Sequence, residues 1–110
     1  MDRPFFYGVI ATFPSSKSAE GYLEFERRAV FRVVREGGAI SGKVIVLTSH
    51  REKVMIETQY VFPDKRRLNS YLSSSLEAAL REASTEQFGK TRVEFERRSG
   101  EIFPQSLPDE

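Results

Sequence analysis

Apolar and polar residues recur along this sequence with two different periods, which predict four strands and two helices. Three runs are rich in aromatic and β-branched residues, a composition typical of strands, and a fourth, Arg92 to Arg97, alternates charged with apolar side chains. Two longer segments repeat their apolar positions at helical spacing. The predicted strands lie near residues 4–13, 40–49, 54–62 and 91–98, and the predicted helices lie near residues 17–36 and 65–88.

Capping and chain-breaking residues support these boundaries. A Ser-Ser-Lys-Ser segment follows Pro14 and offers hydroxyl caps for the first helix. The Gly37-Gly38 pair is a strong C-terminal stop for that helix. Asp64 stands where it can cap the second helix.

An internal repeat relates the two halves of the chain. A Phe-Pro pair at 13–14 is followed nine residues later by Tyr-Leu at 22–23, and the same pairs recur at 62–63 and 71–72, an offset of 49 residues. The element order is therefore β-α-β-β-α-β, with two similar β-α-β halves. This order predicts an α+β, ferredoxin-like fold, in which a four-stranded antiparallel sheet carries both helices on one face and strands one and three are central.

The second half of the chain resembles small uncharacterised bacterial proteins of the dimeric α+β barrel type, within the ferredoxin-like superfamily. The resemblance rests on the motifs Gln59-Tyr60, Tyr71-Leu72, Phe88-Gly89 and Val93-Phe95. It implies a homodimer in which two sheets pack face to face. We expect one ferredoxin-like domain over residues 1–104 and, because of its prolines and terminal acids, a flexible tail over residues 105–110.

The two-residue period of a strand separates the side chains of the sheet into two faces. One face is fit to pack the helices, and it contains Phe5, Tyr7, Val9, Ala11, Phe13, Val54, Ile56, Thr58, Tyr60 and Phe62, with Val44, Val46, Val93 and Phe95. The opposite, open face contains large apolar groups too numerous to leave in water together. We therefore predict a dimer interface formed by Phe6, Ile10, Ile45, Leu47, Met55 and Val61.

Polar residues on the same open face are the candidate ligand-binding residues. Glu57 and Gln59 lie two residues apart on a central strand and so point to the same side, and Arg92 and Glu94 would sit at the rim on an edge strand. A small hydrophobic ligand would then lie between the sheet and the partner chain. The alternative is that Lys43 and Arg92 neutralise Glu57 and Glu94 as cross-strand charge pairs that imply no site.

Composition argues against several classes of function. The 110-residue chain has 17 basic and 16 acidic side chains, a net charge of +1, whereas dedicated nucleic-acid binders usually show a clear basic excess. It has no cysteine, and its one histidine, His50, falls in a predicted turn, so we expect no metal and no cofactor. The segment Met1 to Pro4 is polar and no apolar stretch approaches the length of a membrane span, so we expect neither a signal peptide nor a membrane segment, and a soluble protein in the cytoplasm.

Two hypotheses of function remain open, and the catalytic residues of the second are unknown. The first is a homodimeric binding or interaction module. The alternative is a small cofactor-independent enzyme of the barrel type, oxygenase- or isomerase-like, with Glu57 or Glu94 as a base whose pKa is raised by burial. Barrel oxygenases commonly carry Trp, Asn or His in the cleft, and this chain has no Trp and one Asn, Asn69.

Overall fold

The computed structural model describes residues 3–48 and 52–103. Its strands form one antiparallel sheet in the order β2-β3-β1-β4, so strands one and three are central as predicted. The α+β, ferredoxin-like fold is confirmed, with three helices where two were predicted. The elements are β1 (Phe5–Phe13), α1 (Tyr22–Glu36), β2 (Ser41–Leu47), β3 (Val54–Phe62), α2 (Lys65–Leu72), α3 (Ser75–Phe88) and β4 (Glu94–Glu101).

The predicted hairpin turn with His50 and the predicted tail over 105–110 lie outside the described residues. In the ranges that are described, none of the helices combines the length and the apolar character needed to cross a membrane.

The first helix begins later than the serine-rich segment predicted. Ser15 and Ser18 bond to each other instead of capping it: the Ser18 hydroxyl donates to the Ser15 carbonyl at 2.8 Å, and the Ser18 N–H donates to the Ser15 hydroxyl at 3.2 Å. The N-cap is Gly21, whose φ of 87° lies in the left-handed region that glycine adopts readily. The helix therefore starts at Tyr22 without a side-chain cap.

The second predicted helix is two helices, broken at Ser73 and Ser74. The Ser74 hydroxyl accepts from the Glu77 N–H at 3.2 Å and donates to the Tyr71 carbonyl at 2.6 Å. It therefore ends α2 and starts α3 at the same place, in the Ser-x-x-Glu pattern of a capping box. The prediction of one continuous helix over 65–88 was wrong, because the run of three serines at 73–75 contains this cap.

The fourth strand begins three residues later than predicted. Arg92 has a φ of 60°, which interrupts the extended backbone before Glu94. Pairing with β1 then extends to Glu101 opposite Phe5. The later start does not change which face of the sheet the residues of β4 occupy. Phe95 lies opposite Ala11 on the helix-facing side, as predicted.

Two aromatic clusters attach the helices to the predicted helix-facing side of the sheet. In one, the ring of Phe13 lies 5.0 Å from Tyr22 and 6.1 Å from Phe88. In the other, Tyr71 lies 5.5 Å from Phe62 and 6.2 Å from Tyr60. Such ring pairs stabilise a core beyond the area they bury. The clusters belong to separate groups of buried residues, and the paired residues Val9 and Thr58 lie on the same face of the sheet.

Candidate functional site

A cleft of about 220 Å³ opens between the sheet and helices α1 and α3. Apolar and aromatic side chains line it together with several polar groups, a combination found at small-molecule sites. All four tyrosines of the chain line it. Its polar side chains include Tyr7, Tyr22, Glu26, Thr58, Tyr60 and Arg97.

Glu26 presents a carboxyl group inside this cleft. It lies one turn after Tyr22 on α1, and the hydroxyl of the buried Thr58 donates to its Oε2 atom at 2.8 Å. Burial raises the pKa of Glu26, and hydrogen bonds from Thr58 and Tyr22 offset this only in part. No ion pair to Glu26 exists within residues 3–48 and 52–103. A carboxyl with a raised pKa and no neutralising cation is suited to general acid or base chemistry.

The four tyrosines surround this carboxyl with neutral phenols. Burial raises the pKa of Tyr7, Tyr22, Tyr60 and Tyr71, so each keeps its proton at neutral pH. The charge of Glu26 raises the pKa of Tyr22 further. The tyrosines can therefore donate hydrogen bonds and offer ring faces, but they cannot serve as anions.

Two arginines line the cleft in different states. On α3, Arg81 donates through Nε and Nη2 to the Oε2 atom of Glu77, at 3.2 and 2.7 Å, so its charge is paired with a buried carboxylate. Arg97 reaches the cleft from β4, and its charge and hydrogen bond partly offset the burial that raises the pKa of Tyr7. The cleft therefore contains one paired and one unpaired guanidinium among the described side chains.

The open face contains a separate charged cluster centred on Glu57. This carboxylate is 2% exposed. It accepts from Gln59 at 2.9 Å through Oε1 and from both Nε and Nη2 of Arg98, at 2.9 and 2.7 Å, through Oε2. Arg98 also lies 5.5 Å from the centre of the Phe6 ring. Glu57 is thus an ion-paired carboxylate that is flanked on the neighbouring strands of the open face by Ile10 and Ile45.

The other residues predicted for the open-face site do not join this cluster. Lys43 and Arg92 were expected to neutralise the carboxylates, but the register of β4 places Arg98 beside Gly8 and next to Glu57. Arg92 is exposed and precedes the strand, and the exposed Glu94 lies opposite Thr12 near the far end of β1. The structure therefore brings Glu57 and Gln59 together but leaves Arg92 and Glu94 apart from them.

The residues predicted for the dimer interface share the open face, and each is partly exposed in the single chain. The strand registers place them side by side: Phe6 with Val61, and Ile45 with Glu57 and so with Ile10 beyond it. The full set is Phe6, Ile10, Ile45, Leu47, Met55 and Val61.

The prediction of a ligand site on the open face missed two features of the sequence that indicate the cleft. Glu26 interrupts the apolar side of α1, directly after Phe25 and three residues before Ala29. Thr58 is a small polar residue in the strand set that faces the helices. A carboxylate and a hydroxyl on facing buried surfaces are a pair that burial makes costly unless they bond to each other.

The described part of the chain brings together no group of three His, Asp or Glu side chains that could hold a metal ion.

The sheet order, the helices on one face and the cleft beneath them define the ferredoxin-like fold found in dimeric α+β barrel proteins, so the resemblance stated from the sequence is confirmed at the level of fold. Neither known family profiles nor curated protein sequences match the chain. Solved structures with the same fold share less than 15% of their residues with this chain, so the likeness shows the fold alone.

Three solved structures illustrate this likeness. A cofactor-independent oxygenase from Streptomyces nogalater superposes with a TM-score of 0.70, at 13% identity over 97% of this chain and 99% of that one. A protein from Deinococcus radiodurans that carries the name of an antibiotic biosynthesis monooxygenase gives 0.69, at 11% identity over 93% and 96%. A dimeric ferredoxin-like protein from an uncultured marine organism gives 0.65, at 12% identity over 96% and 100%.

Proposed function

We propose that the protein is a small homodimeric enzyme that removes a proton from a largely apolar substrate in the helix–sheet cleft, with Glu26 as the base. The observation that carries this proposal is the Glu26 carboxyl, which is partly buried, has a raised pKa and accepts a hydrogen bond from Thr58 in a cleft lined by four tyrosines. The proposal moves the ligand from the sheet–partner boundary expected from the sequence to the helix side of the sheet.

The geometry supports a division of labour within the cleft. Ionised Glu26 takes the substrate proton, and the hydroxyl of Thr58 holds the carboxylate in place at 2.8 Å. The neutral phenols of Tyr7 and Tyr60 are available to donate to an oxygen that gains negative charge as the proton leaves. Returning the proton to a different carbon is isomerisation, and reaction of the resulting enolate with dioxygen is oxygenation.

The fold comparisons favour the oxygenase branch as the first one to test. A protein of the same fold is named a cofactor-independent oxygenase, and another carries the name of a monooxygenase. We extend that chemistry to this chain because its cleft supplies the base that such a reaction needs.

Deuterium exchange tests the proton removal separately from any later step. In D₂O, we expect the wild-type protein to accelerate deuterium exchange at the activated CH₂ group of phenylacetone, a ketone with a single ring, and proton NMR measures the loss of that C–H signal. Glu26→Gln should slow this exchange at least about 100-fold, the usual contribution of a general base. Oxygen uptake in the same samples then separates the oxygenase from the isomerase.

A matched control is available on the same helix. Glu24 is exposed, and its pairing with Arg27 and Arg28 at 3.5 and 3.4 Å is a surface interaction. Glu24→Gln should leave the exchange rate unchanged. Exchange that persists in Glu26→Gln would contradict the proposal, as would a wild-type rate equal to that of buffer with phenylacetone and related single-ring ketones.

The second candidate function is a binding module that uses the same cleft without turnover. The observation in its favour is the 2.8 Å hydrogen bond from Thr58, which already satisfies one carboxyl oxygen of Glu26. The module predicts that ketone binding shifts the amide signals of cleft residues while deuterium exchange stays at the buffer rate.

The homodimer part of the proposal rests on the open face. Six partly exposed apolar residues lie there around the Glu57–Arg98 ion pair, so a second copy could cover them with that buried carboxylate already paired. A solved protein of the same fold is dimeric. A dimer formed through this face leaves both helix-side clefts open, one on each outer side.

A further inference from the structure

Arg97 is the cleft residue whose charge the proposed reaction does not use. It lies on β4 opposite Val9, on the side of the sheet that faces the helices. The other described arginines nearby are committed, Arg81 to Glu77 and Arg98 to Glu57, each at 2.7 Å. Arg97 is in no ion pair in the described ranges; it bonds to the neutral phenol of Tyr7, and its guanidinium lies 5.8 Å from the centre of the Phe95 ring.

The Arg97 guanidinium and the Glu26 carboxyl both line the cleft, and no ion pair joins them. Thr58 and Tyr22, but not Arg97, offset the effect of burial on Glu26. Tyr22 lines the same cleft as both charged groups. A cation and a carboxyl that do not neutralise each other across a cleft leave room for a ligand that touches both.

The shape and charge of the cleft limit what that ligand can be. Its volume of about 220 Å³ matches roughly seven water molecules at ~30 Å³ each, which is room for one ring with small substituents. Aromatic walls, including Phe25 and Phe95, favour a planar ring. A guanidinium fork matches a carboxylate in two parallel hydrogen bonds.

We infer that the natural ligand is a small aromatic monocarboxylate whose carboxylate binds Arg97 and whose ring lies among the cleft tyrosines. A phosphate ester fits less well, because its charge of about −1.5 to −2 exceeds the one unpaired guanidinium and would face Glu26 and Glu77. The orientation of the reacting proton toward Glu26 rests on the proposed function, whereas the recognition of the carboxylate does not.

Paired probes of equal shape test this recognition. Benzoate and benzamide differ in charge but hardly in size, and each can be titrated into the nitrogen-15-labelled protein while amide shifts are followed by NMR. We expect wild type to bind benzoate at least about fivefold more tightly than benzamide, with the largest shifts on β4 and α1. Arg97→Gln should remove this preference and leave benzamide binding unchanged.

Matched variants separate a specific contact from general electrostatics. Arg66→Gln removes the same charge from an exposed site on α2 outside the cleft and should keep the preference. Arg97→Lys keeps the charge but loses the fork, and it should keep only part of the preference. Thermal unfolding of each variant verifies that the exposed side chain of Arg97 is not required for folding.

Several results would overturn the inference. These are equal binding of benzoate and benzamide to wild type, a preference that survives Arg97→Gln, an equal loss in Arg66→Gln, and no benzoate binding at millimolar concentration. Glu26→Gln should keep the benzoate preference. A protein that prefers benzoate through Arg97 but shows no Glu26-dependent deuterium exchange refutes the proposed function and leaves this inference standing.

Discussion

At the scale of single residues, Gly8 shows how a charged group is accommodated in the open face. A Cβ atom at this position would lie 2.6 Å from Cζ of Phe6 and 2.9 Å from Oε2 of Glu57. That oxygen is held by Arg98 at 2.7 Å and cannot withdraw without losing the contact. The missing side chain therefore lets the ring and the carboxylate lie over the backbone of the central strand.

We expect Gly8→Ala to destabilise the protein by about 1–3 kcal/mol, the usual cost of overpacking a filled site. Gly100→Ala is the matched control, because no heavy atom lies within 4 Å of its added Cβ and it stands on the neighbouring strand. Urea unfolding followed by circular dichroism measures both. Equal stability of the two variants would show that Phe6 and Glu57 rearrange freely.

Glu26 gives a pH dependence that can be assigned to one residue. Because burial raises its folded pKa above the unfolded value of about 4.3, the folded state holds the proton more tightly. Its contribution to stability is therefore present below the unfolded pKa and is lost as pH rises through the folded pKa.

Replacing this group by Gln removes the titration. The stability of Glu26→Gln relative to wild type should increase as pH rises from about 4 toward neutrality. Urea unfolding at a series of pH values measures the difference, and Glu24→Gln serves as the exposed control. A difference between Glu26→Gln and wild type that does not change with pH would mean that the carboxyl titrates as in water.

At the scale of elements, the break between α2 and α3 shapes one wall of the cleft. The new helix start places Glu77 in the first turn of α3, where it is buried and binds Arg81. A carboxylate in a first turn also interacts favourably with the helix dipole. The cap at Ser74 therefore fixes the polar part of the cleft that faces Tyr7 and Tyr71.

We expect Ser74→Ala to cost about 1 kcal/mol, since it removes a side-chain cap from the Glu77 N–H. Ser75→Ala is the control, because Ser75 is exposed and is the first residue of the helix proper. Chemical denaturation compares the two variants. If Ser75→Ala loses as much stability as Ser74→Ala, the hydroxyl of Ser74 is not the effective cap.

At the scale of the whole molecule, the two sides of the sheet have separate tasks under our proposals. The helix side holds the cleft, and the open side offers the surface for a second copy. A specific interface of this kind buries roughly 1,200 Å² or more in total.

Ile45→Glu should therefore shift the protein toward monomer, because it buries an unpaired charge in the contact at a cost of about 3 kcal/mol or more. That cost weakens association by more than about 100-fold. Val46→Glu is the control, since Val46 is the next residue on the same strand, faces the other side and is 56% exposed. Sedimentation measures both variants, and a wild-type monomer at high concentration would contradict the dimer.

Most of the fold could be predicted from the sequence, but little of the cleft could. Strand periodicity was sufficient for β1 and β3, whose positions on each face follow directly from alternation. The break at Ser74 was missed because apolar spacing continues across it from Leu72 to Leu76. The partnership of Glu26 with Thr58 joins residues 32 positions apart, and it depends on how α1 lies on the sheet, which local patterns do not specify.

The strand order also affects how the chain behaves before it is folded. The central strand β1 reads Phe-Phe-Tyr-Gly-Val-Ile-Ala-Thr-Phe and has no charged residue. Both strands that pair with it come much later in the chain: Phe5, for example, pairs with Phe62 and Glu101. During synthesis this segment emerges long before either neighbouring strand and is therefore unpaired. Unpaired, uncharged segments of high β-propensity readily aggregate. Arg3 and Pro4 before it, and Pro14 after it, are residues of the kind that act as gatekeepers against such association. Refolding yield should therefore fall as protein concentration rises, even though the finished sheet leaves no edge of β1 exposed.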